Sequence, residues 1–201
     1  MSPRSLWFRW PALALAIVAV GFGISMMVSA HLGAAPADVL ATGGSHRFGI
    51  GVGTMGWVVA GVMSVVAVAL RRPPQIGSLI GAVGVGQSVN WFLLVLPEPR
   101  PIIVRIAMLV IALVVLYIAI AVGVSTNLGT GPIELVMLGL HDRGIAMHVA
   151  RWGLEGVLLA VGIALGGQFG VATIVFVFAT GPVLARILPP VMRFMGTART
   201  D

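Results

Sequence analysis

The sequence has 201 residues, of which 59% are hydrophobic and 9% are charged, and its mean hydropathy is +1.08. An ordinary soluble domain carries about 25% charged residues, so this composition indicates an integral membrane protein with no room for a soluble catalytic domain. The chain has no cysteine, which excludes disulfides and thiolate catalysis, and its net charge of +6 comes from arginines beside apolar segments, so we expect no nucleic-acid partner.

Six apolar segments are long enough to cross a bilayer, whose hydrocarbon core requires about 20 residues per helix. Arginine, proline or glycine clusters bound each segment. The predicted spans are Pro11–Ala30, Thr54–Leu70, Ile76–Leu96, Ile102–Thr126, Met147–Leu165 and Gly170–Leu188.

Two shorter helices are predicted between the spans. Leu32–Arg47 follows the first span and Leu128–Arg143 follows the fourth, and each is too short to cross the bilayer. Pro36 and Pro132 are typical of a first helical position, where the missing N–H costs nothing. We therefore expect a half-helix after the first and the fourth span.

The distribution of arginine predicts the orientation. A cytoplasmic N-terminus puts nine arginines inside and three outside, which satisfies the positive-inside rule with both termini in the cytoplasm. The inside set is Arg4, Arg9, Arg71, Arg72, Arg143, Arg151, Arg186, Arg193 and Arg199, and the outside set is Arg47, Arg100 and Arg105.

An internal repeat organises the chain. Residues 29–40 align without gaps on residues 125–136, with Ser, Leu, Gly and Pro coinciding and Asp38 facing Glu134. The offset of 96 residues also aligns the later spans of the two halves. We predict one all-α transmembrane domain, residues 1–201, with repeat one at 11–96 and repeat two at 102–188. Because each repeat has three spans, the second repeat is expected to be inverted.

The repeated segment has the pattern Leu-Gly-x-x-Pro-x-acid, with Gly33 and Gly129 at the turns. Inverted repeats with interrupted helices often build a transport site from half-helix ends, which makes Asp38 and Glu134 candidate substrate-binding residues. The alternative is ordinary helix-start chemistry, because an acid in the first turn is favoured by the helix dipole.

Two polar pairs lie within predicted spans. Arg151 and Glu155 are one helical turn apart and can form an ion pair, either as structural support or as part of a cavity that binds a cation or a proton. Gln87 and Asn90 form a smaller polar face, for which an interhelical hydrogen bond is the main interpretation and a substrate contact the other.

The remaining motifs predict packing more than chemistry. Glycines four residues apart, such as Gly77 and Gly81, permit close helix approach, either within one chain or in a homodimer. The four histidines form no pair with metal-ligand spacing, so we expect neither a metal nor a cofactor. No set of residues predicts an enzyme.

The twin Leu-Gly-x-x-Pro-x-acid segments, the run Gly49–Thr54, the Arg151-x-x-x-Glu155 pair and the run Gly166–Thr173 resemble YczE/YitT-type bacterial membrane proteins, most like the YczE branch. The resemblance covers nearly the whole chain and implies a multi-span inner-membrane protein. It implies no particular biochemical activity. Ala37 and Asn90 depart from the family pattern, in which a larger residue and an acid are expected at these positions.

Two functions from different classes follow from these observations. The first is a small secondary transporter or exporter with a site at the repeat interface. Carboxylates favour a cationic solute and half-helix N-termini attract anionic groups, so a zwitterion would satisfy both. The second is a non-transporting accessory or scaffold protein that supports a partner complex in the membrane.

Overall fold

The computed structural model describes residues 6–197, and Arg4 and Arg199 of the arginine count lie outside them. All regular structure in this part of the chain is helical. The eight helices are α1 Leu6–Ser29, α2 Pro36–Phe48, α3 Val52–Ala69, α4 Ile76–Val95, α5 Ile102–Ser125, α6 Pro132–His141, α7 Met147–Ala164 and α8 Val171–Met195.

Six of these helices are long and apolar enough to span a membrane, namely α1, α3, α4, α5, α7 and α8. They correspond to the six predicted spans. The two predicted half-helices are α2 and α6, which begin at Pro36 and Pro132 as the sequence indicated. Proline fits there because its fixed φ suits the helix and its missing N–H leaves no donor unpaired.

The helix bounds differ from the prediction mainly at three places. Helix α1 begins before Pro11, α3 begins at Val52, and α8 continues through Pro189 and Pro190 to Met195. Proline removes one helical hydrogen bond, but membrane helices tolerate it because neighbouring groups satisfy the freed carbonyl. The double proline therefore does not end α8, and Gly196 ends it in a left-handed conformation at φ 67°.

Helices α1 and α5 form the centre of the bundle. They pack against each other, while α4 lies against α1 and α8 lies against α5. Half of the α1 span is buried, a larger share than in any other described span. Met27, Ala112 and Leu116 lie in the main apolar cluster, which fills the space between α1 and α5.

The half-helices lie beside this centre. Helix α2 packs against α3 and α7, and α6 packs against the same two helices. Large apolar side chains such as Val65, Ile103 and Phe178 cover the outer surfaces of the spans and are exposed. An apolar exterior of this kind is what a lipid bilayer requires, so the protein is embedded in the membrane.

Candidate functional site

Helix α7 carries an ion pair inside a membrane span. The Arg151 Nε atom donates to Glu155 Oε1 at 3.0 Å, and the two side chains are 31% and 17% exposed. The pairing predicted from their spacing is therefore present. An unpaired carboxylate within a membrane span would be costly, and the arginine supplies the partner that Glu155 needs there.

Glu134 lies close to this pair. It is the third residue of α6, in the first turn after Pro132, where the helix dipole favours an acid. Its carboxylate is within electrostatic range of both Arg151 and Glu155. Three of the predicted site residues, on two helices, thus form one cluster of ionisable groups.

Asp38 is separate from the cluster. It is the third residue of α2 and is half-buried. Within residues 6–197, its carboxylate makes no hydrogen bond or ion pair. Helices α2 and α6 also do not pack extensively against each other. The alignment of Asp38 with Glu134 therefore reflects their similar places on two half-helices and does not bring them together.

Asn90 connects α4 to α3. Its side-chain oxygen accepts from the Gly53 N–H at 2.9 Å, and its amide nitrogen donates to Thr54 Oγ1 at 3.0 Å. This is the interhelical contact that the sequence favoured, and it satisfies an amide in the first turn of α3. Gln87 is half-buried, and its side chain has no hydrogen bond within the described part of the chain.

The two turns before the half-helices dock onto the other half of the protein. Gly33 has φ 111°, a conformation that L side chains rarely adopt, and it lies against Gly170 and Thr173 at the start of α8. The Ala34 N–H donates to Thr173 Oγ1 at 3.2 Å. Gly129 lies against Ser78 at the start of α4. Each turn is thus held by a span of the opposite half.

Sequence reasoning did not find the role of Arg105. Its guanidinium donates to the carbonyls of Ala30 and His31, which follow the C-terminus of α1. Cations are favoured there because helix C-terminal carbonyls are unpaired and carry partial negative charge. The available signal was Arg9, which lies 96 residues before Arg105, at the offset of the predicted repeat.

Sequence reasoning also missed a polar cluster where the α3–α4 and α6–α7 loops meet. The Arg72 guanidinium donates twice to the Asp142 carboxylate, at 2.6 and 2.7 Å. These hydrogen bonds hold the pKa of Asp142 below its ordinary value. Arg143 donates to the carbonyl of Leu70, which directly follows α3, and to the carbonyl of Gly139 in α6. Both arginines therefore fix loops as well as contributing to the basic charge.

Three comparisons place the chain among known proteins. A model of DUF6198, a family of unknown function, matches residues 3–189. The uncharacterized membrane protein YczE of Bacillus subtilis is 26% identical over 198 residues, which cover 97% of this chain and 92% of YczE. An uncharacterized protein of Haemophilus influenzae is 24% identical over 202 residues, covering 95% of this chain and 93% of that protein. No solved structure matches.

The resemblance to YczE-type proteins is therefore confirmed over nearly the whole chain. YczE is a membrane protein, which agrees with the six apolar helices among residues 6–197 of this chain. Both relatives are uncharacterized, so the likeness indicates no activity. On the match to residues 3–189, the chain belongs to the DUF6198 family.

Proposed function

We propose that this protein is a small secondary transporter or exporter built from two inverted three-span repeats, with a site for a cationic or zwitterionic solute beside α6 and α7. The cluster of Glu134, Arg151 and Glu155 on α6 and α7 is the observation that carries the proposal. Ionisable groups within membrane spans are costly and typically mark a substrate or ion pathway.

The helix positions support the repeat. Helices α5 and α6 begin 96 residues after α1 and α2, and α7 and α8 begin 95 residues after α3 and α4. Unusual backbone conformations recur at the same offsets, since His31 and Asn127 have φ of 50° and 52°, and Arg71 and Gly166 have φ of 60° and 83°. Such conformations are rare, so their recurrence indicates the same chain path in both halves.

The packing also supports a two-fold relation. Exchanging the repeats turns the α1–α4 contact into the α5–α8 contact and the α2–α7 contact into the α6–α3 contact, and all four are present. Because an odd number of spans separates the two copies, such a relation implies opposite orientations in the membrane. Interrupted helices in inverted repeats are a common architecture of secondary transporters.

The charges indicate the solute class. The Arg151–Glu155 pair is neutral as a unit, which leaves Glu134 to attract a cationic group. The N-terminus of α6 is the positive end of a helix dipole, which attracts an anionic group at the same place. A small zwitterion, such as an amino acid or a short peptide, carries both groups.

The experiment compares Glu134→Gln and Asp38→Asn with the unchanged protein in reconstituted vesicles. The probes are a panel of radiolabelled amino acids and dipeptides, with and without an imposed proton gradient. We expect uptake by the unchanged protein and loss of uptake in Glu134→Gln, with thermal stability kept within about 1 kcal/mol. Asp38→Asn shows whether the acid of α2 contributes to the dependence of uptake on the proton gradient.

The accessory function predicts the opposite pattern. Purified protein would then move none of the probes, both amide variants would behave like the unchanged protein, and a membrane partner would co-purify. A stable Glu134→Gln variant with full uptake would overturn the proposed site.

We propose in addition that both termini lie in the cytoplasm and that the membrane is the bacterial inner membrane. Reporter fusions at the N-terminus, after Arg72 and at the C-terminus should all give cytoplasmic signals. A periplasmic signal from the C-terminus would contradict the six-span topology and the inverted repeat.

A further inference from the structure

Helices α3 and α4 form a tight seam. The Trp57 indole N–H donates to the Val83 carbonyl at 2.9 Å, and Gly86 lies directly against Gly53 and the Trp57 ring. Asn90 adds the two hydrogen bonds to Gly53 and Thr54. The seam thus combines an aromatic N–H donor, a helix carbonyl, close glycine approach and a polar side chain.

The same elements recur 95 residues later on α7 and α8. Trp152 corresponds to Trp57, Gly181 to Gly86, and Phe178 to Val83. Yet no extended contact joins α7 and α8. Trp152 is 67% exposed, and no other helix in residues 6–197 has a heavy atom within 4 Å of the place that a Cβ on Gly181 would take. The α7–α8 seam, defined by these three residues, is therefore open.

Pro182 makes the likeness more specific. A proline in a helix has no N–H, so the carbonyl four residues earlier loses its normal helical donor. In α8 that carbonyl belongs to Phe178, at the repeat position of the Val83 carbonyl that accepts from Trp57. Helix α8 thus offers a carbonyl that lacks its usual helical donor, and α7 offers an indole N–H with no acceptor in the described part of the chain.

The sequence also explains why the seam is open here. The position of Gly53 is taken by His148 in α7, which prevents equally close approach, and the position of Asn90 is taken by Ala185 in α8. The Trp152 ring instead lies edge-on to His148, with the ring centroids 5.9 Å apart. Closure would therefore be supported by fewer contacts than at α3–α4, and the open arrangement can be populated.

We infer that α7 and α8 close against each other in a second state of this chain, in which the Trp152 indole N–H donates to the Phe178 carbonyl. The inference rests on the repeat in the proposed function and makes the α7–α8 seam a lateral gate beside Arg151 and Glu155. The occupant of the seam is the chain itself, because the six residues between α7 and α8 keep the two helices at high effective concentration.

Cysteine cross-linking tests this closure, since the chain has no cysteine of its own. The pair Val149→Cys with Ala185→Cys occupies the repeat positions of Thr54 and Asn90, whose side chains touch in the α3–α4 seam. The pair Thr54→Cys with Asn90→Cys is the positive control. The pair Val157→Cys with Ala185→Cys, which places one cysteine on another part of α7, gives the background.

In membranes treated with an oxidant, we expect the Val149–Ala185 pair to cross-link within one chain, above background and more slowly than the positive control. Pro182→Ala restores a helical donor for Phe178, and Trp152→Phe removes the indole N–H. Each change should slow cross-linking about two- to tenfold, as expected for one hydrogen bond, without changing the rate of the α3–α4 pair.

The inference is overturned if the Val149–Ala185 pair stays at background while the α3–α4 pair links, or if it links only between two chains. It is also overturned if neither Pro182→Ala nor Trp152→Phe changes the rate. Cross-linking does not require transport, so a closing seam in a protein that moves no solute would reject the proposed function alone.

Discussion

The α2–α7 interface and the α3–α6 interface each join the two halves of the chain and correspond to each other in the predicted repeat, but they are held by different chemistry. In the first, Gly43 lies against the backbone of Gly162 and Gly167. In the second, the equivalent Gly139 lies against the Leu70 side chain. Ala67 and Arg72 stand where Gly162 and Gly167 stand in the other half.

The same helix arrangement can therefore be stabilised either by backbone contact or by side chains. At α2–α7, glycines let two backbones touch, so no flexible side chain can move aside for an added group. At α3–α6, apolar side chains fill the space, and Arg72 and Arg143 tie the loops with hydrogen bonds to Asp142 and Leu70. We therefore expect steric changes to damage the first interface most, and charge changes to affect only the second.

The largest effect is expected from Gly162→Leu. A Cβ at Gly162 would lie 2.6 Å from the Leu40 backbone nitrogen, so the larger side chain must push α2 away from α7. We expect a loss of about 3 kcal/mol or more in the free energy of unfolding, measured in detergent. Gly156→Leu, in the same helix with open space around it, is the control and should be tolerated.

The second effect concerns the ion pair within α7 and lies outside the charged contacts of the α3–α6 interface. Arg151→Leu leaves the Glu155 carboxylate without its partner and should cost about 1 to 3 kcal/mol, less than the roughly 3 to 5 kcal/mol of a fully buried pair, because the arginine is 31% exposed. Adding Glu155→Gln should recover part of the loss. Equal stability of the single and double variants would show that the pair contributes nothing.

A third, smaller effect concerns a contact that only one half possesses. Asn90→Ala removes the partners of the Gly53 N–H and of Thr54 Oγ1, and should cost about 1 to 2 kcal/mol in thermal unfolding. Gln87→Ala, on the same helix, removes no such bond and should be neutral. If both variants were equally stable, the polar tie at α3–α4 would not distinguish the two halves.

The smallest effect is expected at the exposed Arg72–Asp142 pair. Its hydrogen bonds lower the pKa of Asp142 in the folded protein. The resulting stabilisation is complete above the ordinary pKa of aspartate and is lost as the pH falls through the lowered value. The stability difference between the unchanged protein and Asp142→Asn should therefore shrink under acid conditions, and Arg72→Gln should remove this pH dependence. A constant difference across the acid range would contradict the role of the pair.

Much of the architecture was predictable from local signals. The six spans follow from the length of the apolar runs, and both half-helices begin at the prolines that mark them. The Arg151–Glu155 pair followed from helical spacing alone. The predicted end of the last span at Leu188 is wrong, because Pro189 and Pro190 do not end α8 and the helix continues to Met195.

Long-range contacts could not be predicted in this way. The alignment of Asp38 with Glu134 suggested a shared site, but only Glu134 lies near Arg151, because the positions that correspond to Arg151 and Glu155 in α3 are Gly56 and Ala60. The Arg72–Asp142 pair joins residues 70 positions apart in two loops. No local pattern indicates that these loops meet.

The helices, their apolar lengths and the places where they are interrupted can be read from the amino-acid sequence, because they depend on hydrophobic length and on the backbone limits of proline and glycine. The three-dimensional packing was needed to learn which acid has a cationic neighbour, which glycines touch backbone, and that α3 and α4 are closed while α7 and α8 are open. These depend on how distant segments approach each other, and a difference of one side chain, such as Gly53 against His148, changes that approach without altering either helix.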